Sequence, residues 1–173
     1  SWTAVDRGGV KYTFGSGAST RQDDPDDSSR VYKWLLEKVE DQQGNAILFA
    51  YTKADGAAYP EAIYYGGTSQ ADAVYAVHFT LTDRDTYTDY RTGFAVRHAS
   101  IIDEISVEWI PDGSEIVTYD LGYDLRSAAV QTLTSVEVST PDVTLPTTTF
   151  TYYDGTEDAQ FKKINALYQI ETS

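Results

Sequence analysis

Along most of the chain, apolar and polar residues alternate at every second position, in runs broken by clusters of turn formers. That is the pattern of half-buried β-strands, and helical spacing is hard to find anywhere. The clearest case is Trp34–Thr52, where two β-favouring runs flank the polar link Asp41-Gln42-Gln43-Gly44-Asn45. Leu35, Glu37 and Val39 take one parity of the first run and Leu36, Lys38 and Glu40 the other; Ile47, Phe49 and Tyr51 share a face of the second. Gly44 and Asn45 tolerate the positive φ of a tight reversal, so the stretch predicts a long hairpin. Trp34, Asp41, Gly44, Asn45 and Tyr51 are its expected framework, with Gly93, Phe94 and Phe150 as further architectural residues.

The same reading extends in both directions. Trp2–Asp6 and Lys11–Phe14 form a hairpin around Arg7-Gly8-Gly9, and residues 15–29 read as a flexible acidic loop with nothing to bury, ahead of a strand over Val31–Val39. Tyr59–Tyr65 is a strand entered through Pro60, which suits a first-residue or edge position. Tyr75, Val77, Phe79 and Leu81 share a face, and Asp83–Gly93 reads as a charged, Tyr-bearing loop. In Phe94–Trp109 one parity holds Ile101, Asp103, Ile105, Val107 and Trp109. Val117, Tyr119, Leu121 and Tyr123 mark a strand pairing back on it, Ser127–Gln131 a short crossing, Leu133–Val138 and Thr147–Tyr153 two more strands, and residues 160–173 a last, truncated hairpin. The sum is one all-β domain over 1–173: a mostly antiparallel, curved or meandering sheet of about ten strands, wet on one face.

Several stretches resemble one family in order and spacing. They are the opening Trp2-Thr3-Ala4-Val5-Asp6-Arg7-Gly8-Gly9-Val10-Lys11-Tyr12-Thr13-Phe14-Gly15, the Asp41–Asn45 hairpin, Tyr59-Pro60-Glu61-Ala62-Ile63-Tyr64-Tyr65, and Tyr90-Arg91-Thr92-Gly93-Phe94-Ala95-Val96-Arg97. Leu133-Thr134-Ser135-Val136 and Leu145-Pro146-Thr147-Thr148-Thr149-Phe150 continue the series. Together they resemble the Salmonella virulence plasmid B-type domain, found also in the B component of insecticidal toxin complexes and related to RHS (YD-repeat) proteins. The resemblance implies a non-catalytic scaffold segment of a secreted or cell-surface bacterial protein, part of an RHS-type β-sheet shell that encloses or carries a toxin. Its implied partners are other segments or subunits of such an assembly, with a toxin as possible cargo. The insert Asp23–Asp27 and the tail around Asn165–Tyr168 depart from the family pattern.

Charge and composition narrow the chemistry. Thirteen basic against 27 acidic residues give a net charge of −14, which disfavours nucleic acid and anionic membranes as partners. With no cysteine, thiolate metal sites, disulfides and cysteine nucleophiles are excluded, and with no methionine or leader the chain reads as a segment of a larger protein whose secretion signal lies outside it. No apolar run approaches the length of a membrane span, so no membrane insertion is expected. No cofactor motif occurs.

Asp23, Asp24, Asp26 and Asp27 are a candidate calcium site, since clustered carboxylates supply hard oxygen ligands, but they lack the spacing of a calcium loop and read more simply as solvated. His78 and His98 would need to meet in space to share a site. Glu104 with Glu108, or Asp83 with Asp85, would be the dyad of a carbohydrate hydrolase, but chance pairs are expected among 27 acidic residues, and no enzymatic activity is expected. Asp83-Arg84-Asp85 with Tyr90-Arg91 reads as an ion-pair cluster ordering its loop. The alternative to a scaffold is a binding module, adhesin-like or partner-docking, that uses residues 83–93 with Tyr87, Tyr90 and Arg91. Tyr64, Tyr65, Tyr152 and Tyr153 could extend such a surface, though cross-strand packing accounts for tyrosines in alternating strands.

Overall fold

Each strand hydrogen-bonds to the next along the chain, with a single interruption. The computed structural model describes residues 1–127 and 130–152, so the expected last hairpin over 160–173 lies outside the described residues. Among the described residues there are twelve strands: β1 (Trp2–Val5), β2 (Lys11–Phe14), β3 (Arg21–Asp23), β4 (Val31–Trp34), β5 (Leu36–Glu40), β6 (Ala46–Ala54), β7 (Ala57–Gly67), β8 (Tyr75–Asp89), β9 (Val96–Trp109), β10 (Ser114–Ser127), β11 (Val130–Ser139) and β12 (Thr148–Thr149). Ten of them form one antiparallel meander in the order β1-β2-β5-β6-β7-β8-β9-β10-β11-β12, which does not close on itself; β3 and β4 make a separate two-stranded sheet between β2 and β5. The all-β, meandering expectation is met.

The Asp41–Asn45 reversal forms as its residues dictate. Gly44 has φ +89°, and Asp41 Oδ1 accepts the backbone N–H groups of Gln43 (2.8 Å) and Asn45 (2.9 Å) while Oδ2 accepts from Asn45 Nδ2 (2.7 Å). These bonds to the charged form, led by the Asn45 side chain, hold the Asp41 carboxyl below its usual range. A Cβ at Gly44 would meet no atom within 4 Å, so only the backbone conformation disfavours a side chain there. Gly44→Val is expected to lose about 1–2 kcal/mol in urea unfolding, and Gly44→Asn much less, because asparagine tolerates the left-handed region.

Other boundaries shift. The strand expected over Val31–Val39 breaks at Leu35, whose N–H bonds to Thr20 O (2.8 Å) and whose carbonyl accepts from Gly15 N (3.0 Å), so Val31–Trp34 pairs with β3 instead of the main sheet. The expected flexible loop 15–29 contains β3, and Thr20, Gln22, Asp23 and Asp24 are buried. Pro60 lies inside β7, not at its entry. Its neighbour Glu61 bulges opposite β6, and the pairing with β8 begins only at Ala62, so no ladder bond to β8 is asked of the proline. The expected Asp83–Gly93 loop is strand as far as Asp89: Tyr87, Thr88 and Asp89 pair with His98, Arg97 and Val96, and Arg84–Thr86, three residues opposite Ala99, are accommodated as an enlarged bulge. The expected crossing at Ser127–Gln131 is strand on both sides, with Ser127 opposite Val130. Of the strand expected over Thr147–Tyr153, the described residues form only Thr148–Thr149 of β12.

Bulges also re-phase the faces. Thr80 pairs with Glu104 but Leu81 with Ile102, so Asp103 is extra and Ile102, not Ile101, joins Ile105 on the apolar face. A matching slip at Thr134 brings Leu133, opposite Tyr123, into line with Val136 and Val138. The result is continuous cross-strand rows of apolar residues: Phe49, Ile63, Val77, Val107, Val117 in one, and Phe79, Ile105, Tyr119, Val138 in the next. All nine are only half-buried, because among the described residues no second layer covers this face. The opposite face carries Ala62, His78, Ser106 and Thr118 in one row and Thr80, Glu104, Asp120 and Glu137 in another.

The densest packing lies at one end, where Ala57, Tyr59, Phe94 and Val96 are buried together with Leu81 against them. Here β7 leaves β8 and turns onto β9, and the Tyr59 hydroxyl accepts the N–H groups of Ala99 (3.2 Å) and Ser100 (3.4 Å).

Candidate functional site

The β3–β4 insert is fastened over that buried cluster by charge. Asp23 is paired with Lys53, and Asp24 with Arg30 at 2.5 Å; the two carboxylates are 7% and 6% exposed. Arg30 also donates to Gly93 O (3.0 Å) and lies 5.8 Å from the centre of the Phe94 ring. Between insert, β6–β7 turn and β8–β9 turn is a cleft of about 450 Å³ lined by Asp24, Asp26, Arg30, Asp55, Phe94 and Arg97 among others. The acidic run is therefore half structural. Asp23 and Asp24 have cationic partners, Asp26 takes part through its backbone N–H to Asp24 Oδ1 (3.0 Å), and Asp27 accepts from Ser29 Oγ (2.6 Å). Hydrogen bonds from Ser29 hold the Asp27 carboxyl below its usual range. Among the described residues no three Asp, Glu, His or Cys side chains are grouped to hold a metal.

The root of the insert depends on Glu37. Its carboxylate accepts from Ser16 N (2.8 Å), Ser16 Oγ (2.5 Å) and Thr20 Oγ1 (3.0 Å). Burial pushes its pKa up, but the bonds from Ser16, Thr20 and Gly17 outweigh this and leave it below the ordinary 4.5. A carboxyl lowered by folding contributes stability that is present above its unfolded value and lost as pH falls through the folded one. The stability difference between the parent and Glu37→Gln should therefore be steady at neutral pH and shrink below about pH 4.5, as measured by urea unfolding at stepped pH.

The histidines do not meet. His78 Nε2 is 2.9 Å from Glu108 Oε2 and its ring sits edge-on to Tyr64, whereas His98 stacks on Tyr87 at 4.7 Å. Their β9 positions, opposite Ser106 and at 98 itself, are separated by eight residues, or about 26 Å of strand. Burial lowers the His98 pKa, Asp89 opposes this, and Arg84, Lys33 and Arg91 reinforce it.

Glu104 and Glu108 share a face four residues apart, about 13 Å along the strand, beyond the roughly 5–9.5 Å of glycosidase dyads. Each has its own partner, Thr80 Oγ1 at 3.3 Å and His78. Asp83 and Asp85 are exposed at the bulge. Glu104, Asp120 and Glu137 are direct cross-strand neighbours of like charge, an arrangement that costs stability. Asp120→Lys is expected to stabilise the chain by about 0.5–1 kcal/mol, read as a rise in melting temperature of about 1–4 °C.

Tyr87, Tyr90 and Arg91 are brought to one end of the molecule. Arg84 lies 4.8 Å from the Tyr87 ring centre, Arg91 holds Asp89 at 2.6 Å, and Tyr90 is 69% exposed in the turn. The side-chain bond from Arg91 is the main reason the Asp89 carboxyl is held down to about 2. Within the expected cluster Arg91 pairs with Asp89, and Arg84 lies over Tyr87 and donates from Nε to Asp85 O (3.3 Å). Tyr32 and Lys33 of β4 flank the same surface, with Lys33 5.4 Å from the Tyr32 ring centre. Sequence reasoning missed them because nothing local ties β4 to the β8–β9 turn. Of the framework residues, Trp34 packs edge-on to Trp2 (5.7 Å), the Tyr51 hydroxyl donates to Leu36 O (2.9 Å), and Phe94 is buried. Phe150 is 41% exposed and contributes its N–H to Thr134 O (2.8 Å). Tyr65 stacks on Tyr75 across strands (5.2 Å), as packing predicts; Tyr152 is 41% exposed, and Tyr153 lies outside the described residues.

Residues 1–76 match the profile of the family described as SpvB, Salmonella virulence plasmid 65kDa B protein, so the resemblance carried by the motifs is borne out over that part. Among curated proteins no sequence matches. Among solved structures, the chain is similar to the TcdB2-TccC3-Cdc42 complex, with a TM-score of 0.76 and 19% identity over 88% of this chain and 10% of that one. The Photorhabdus luminescens Tc holotoxin pore gives the same TM-score and identity over 87% of this chain. The N-terminal domain of the effector protein SpvB from Salmonella typhimurium strain LT2 gives 0.72 and 15% identity, over 80% of this chain and 60% of that one. The chain thus spans about a tenth of the toxin-complex chains it matches, and its sheet is a fold found within them.

Proposed function

We propose that this chain is a non-catalytic scaffold segment of a secreted, toxin-complex-like bacterial protein of the RHS type, forming part of a β-sheet shell that encloses or carries a toxin. The observation that carries this reading is the open, single-layer sheet. Both edge strands, β1 and β12, lack an outer neighbour among the described residues, and the rows from Phe49 to Val117 and from Phe79 to Val138 stay half-exposed. Such a surface is stable when neighbouring strands continue the sheet and when an enclosed space keeps the apolar face from bulk water. The likeness in fold to a tenth of the TcdB2-TccC3 chain agrees with a piece of a larger continuous structure. The acidic exterior favours solubility of that structure.

Light scattering after size exclusion across a concentration range tests this. Mass that grows with concentration is the expected result, because unpaired edges seek partners. A concentration-independent monomer would favour the second reading, an autonomous binding module, which rests on the exposed Tyr32, Tyr87 and Tyr90.

A further inference from the structure

The face that carries the rows from Phe49 to Val117 and from Phe79 to Val138 is free of charge. Tyr65, Tyr75 and Trp109 add a row on one side of them, and Leu81 with Ile102 adds one on the other. No Asp, Glu, Lys, Arg or His stands at any position of these four rows. The carboxylates interleaved with them along the strands, Glu104, Glu108, Asp120 and Glu137, lie on the opposite face with His78. One side of the sheet is thus uncharged and the other acidic.

The size of the uncharged face follows from strand geometry. Strands lie about 4.8 Å apart and every second residue rises about 6.8 Å, so each position in a row covers about 33 Å² of sheet. Fourteen apolar and aromatic residues fill the four rows, which makes about 450 Å² on one copy, within the range of the largest patch a monomer leaves open to water. Two such faces bring together about 900 Å² of sheet before side-chain relief is counted, near the roughly 1,000 Å² at which specific interfaces begin. Trp109, at the rim, keeps 40% of its surface exposed, and tryptophan is among the residues enriched at interfaces.

We propose that this face docks against the same face of a second copy of the chain, two sheets stacked about 10 Å apart around a two-fold axis. Charge selects both the partner and the orientation. A second copy presents the same uncharged rows, so pairing buries no unpaired charge on either side. With the uncharged faces inward, the two acidic faces point outward and stand about 20 Å apart, more than twice the screening length of about 8 Å at physiological salt. An approach through the opposite face would instead bring Glu104, Asp120 and Glu137 of two copies, each of net charge −14, within that length. The pairing does not depend on the shell reading: growth through β1 and β12 has no fixed end, whereas pairing through the face stops at two copies.

Sedimentation velocity of the 173-residue chain between about 1 and 300 µM tests this. The expected result is a reversible step from 19.2 kDa to twice that mass, with a dissociation constant of about 10–100 µM, as suits an interface at the low end of the size range. The step should strengthen as salt rises from about 50 to 500 mM, because screening relieves the repulsion between two acidic chains. Val77→Lys, at the centre of the face, should weaken it at least about tenfold by burying an unpaired charge, while Thr80→Lys, the same charge change on the opposite face, should leave it within about threefold. If Val77→Lys loses its β-sheet circular dichroism, Trp109→Lys at the exposed rim of the same face reads out the same loss. A monomer at every concentration, the face then being covered from within the chain or left bare, would overturn the proposal, as would an equal loss with Thr80→Lys. Association that persists unchanged in both face variants would place it at the sheet edges, and would overturn the proposal while leaving the shell reading intact.

Discussion

Replacing Phe94 by alanine is expected to destabilise the chain by about 3 kcal/mol, the low end for a buried phenylalanine because the cluster around it is small. The ring is 9% exposed, packed with Ala57, Tyr59 and Val96, and has Arg30 on it. Its loss removes the platform on which the β3–β4 insert rests, so the effect should have a local signature as well as a global one. Arg30 would keep Asp24 but lose the ring, and the segment carrying it would open more often. Trypsin cleavage after Arg30, whose side chain is 53% exposed, should then accelerate by up to about two orders of magnitude, because cleavage follows the population of the open form. Phe94→Leu should show a fraction of both effects. A loss below about 1 kcal/mol with unchanged proteolysis would mean that the node does not hold the insert.

Gly15→Ala is the second large effect, about 2–3 kcal/mol, and it has two separable causes. Gly15 has φ +61°, a conformation that disfavours any side chain by about 1 kcal/mol. A Cβ there would also come within 2.5 Å of Trp34 Cδ1 and 2.9 Å of Trp34 Cβ, and the latter cannot move without the backbone of β4. The Trp34 ring is in turn engaged edge-on by Trp2. In a Trp34→Gly background, which removes Cβ as well as the ring, the steric part should vanish and only about 1 kcal/mol remain. An undiminished cost in that background would place the whole effect in the backbone.

These two sites show what the sequence made legible. The Asp41–Asn45 hairpin could be read because its determinants are local: the glycine, the aspartate that accepts from its own turn, and the alternating runs on either side. Trp34 falls in a different strand from the one its alternation suggests, because the break at Leu35 comes from hydrogen bonds to Thr20 and Gly15, residues with no local signal. Asp23 and Asp24 read as solvated, since their composition is that of a loop. Their neutralising partners, Lys53 and Arg30, sit 30 and 6 positions away, and only the fold brings Lys53 near. Residues 83–89 hide their strand for the reverse reason: Asp83, Arg84 and Asp85 look like loop, yet Asp83 pairs with Ser100 and the bulge opposite Ala99 absorbs Arg84–Thr86 and lets Tyr87 and Thr88 rejoin the ladder. The faces were legible wherever alternation ran unbroken and failed at Asp103, where an extra residue exchanges one face for the other. Of the candidate surface, Tyr87, Tyr90 and Arg91 could be found from sequence, whereas Tyr32 and Lys33 required the folded insert.

Amide hydrogen exchange on a dilute sample reads the open edges of the single-layer sheet directly. Protection should be greatest in β8 at Tyr75–His78 and in β9 at Glu104–Trp109, which have partners on both sides, and fall toward the ends of the sheet, with the outward N–H groups of β1 and β12 exchanging almost as fast as loop amides. Protection of β1 equal to that of β8 and β9 in the monomer would show that this edge is covered within the chain, and would contradict the reading of an open sheet that is completed by its neighbours.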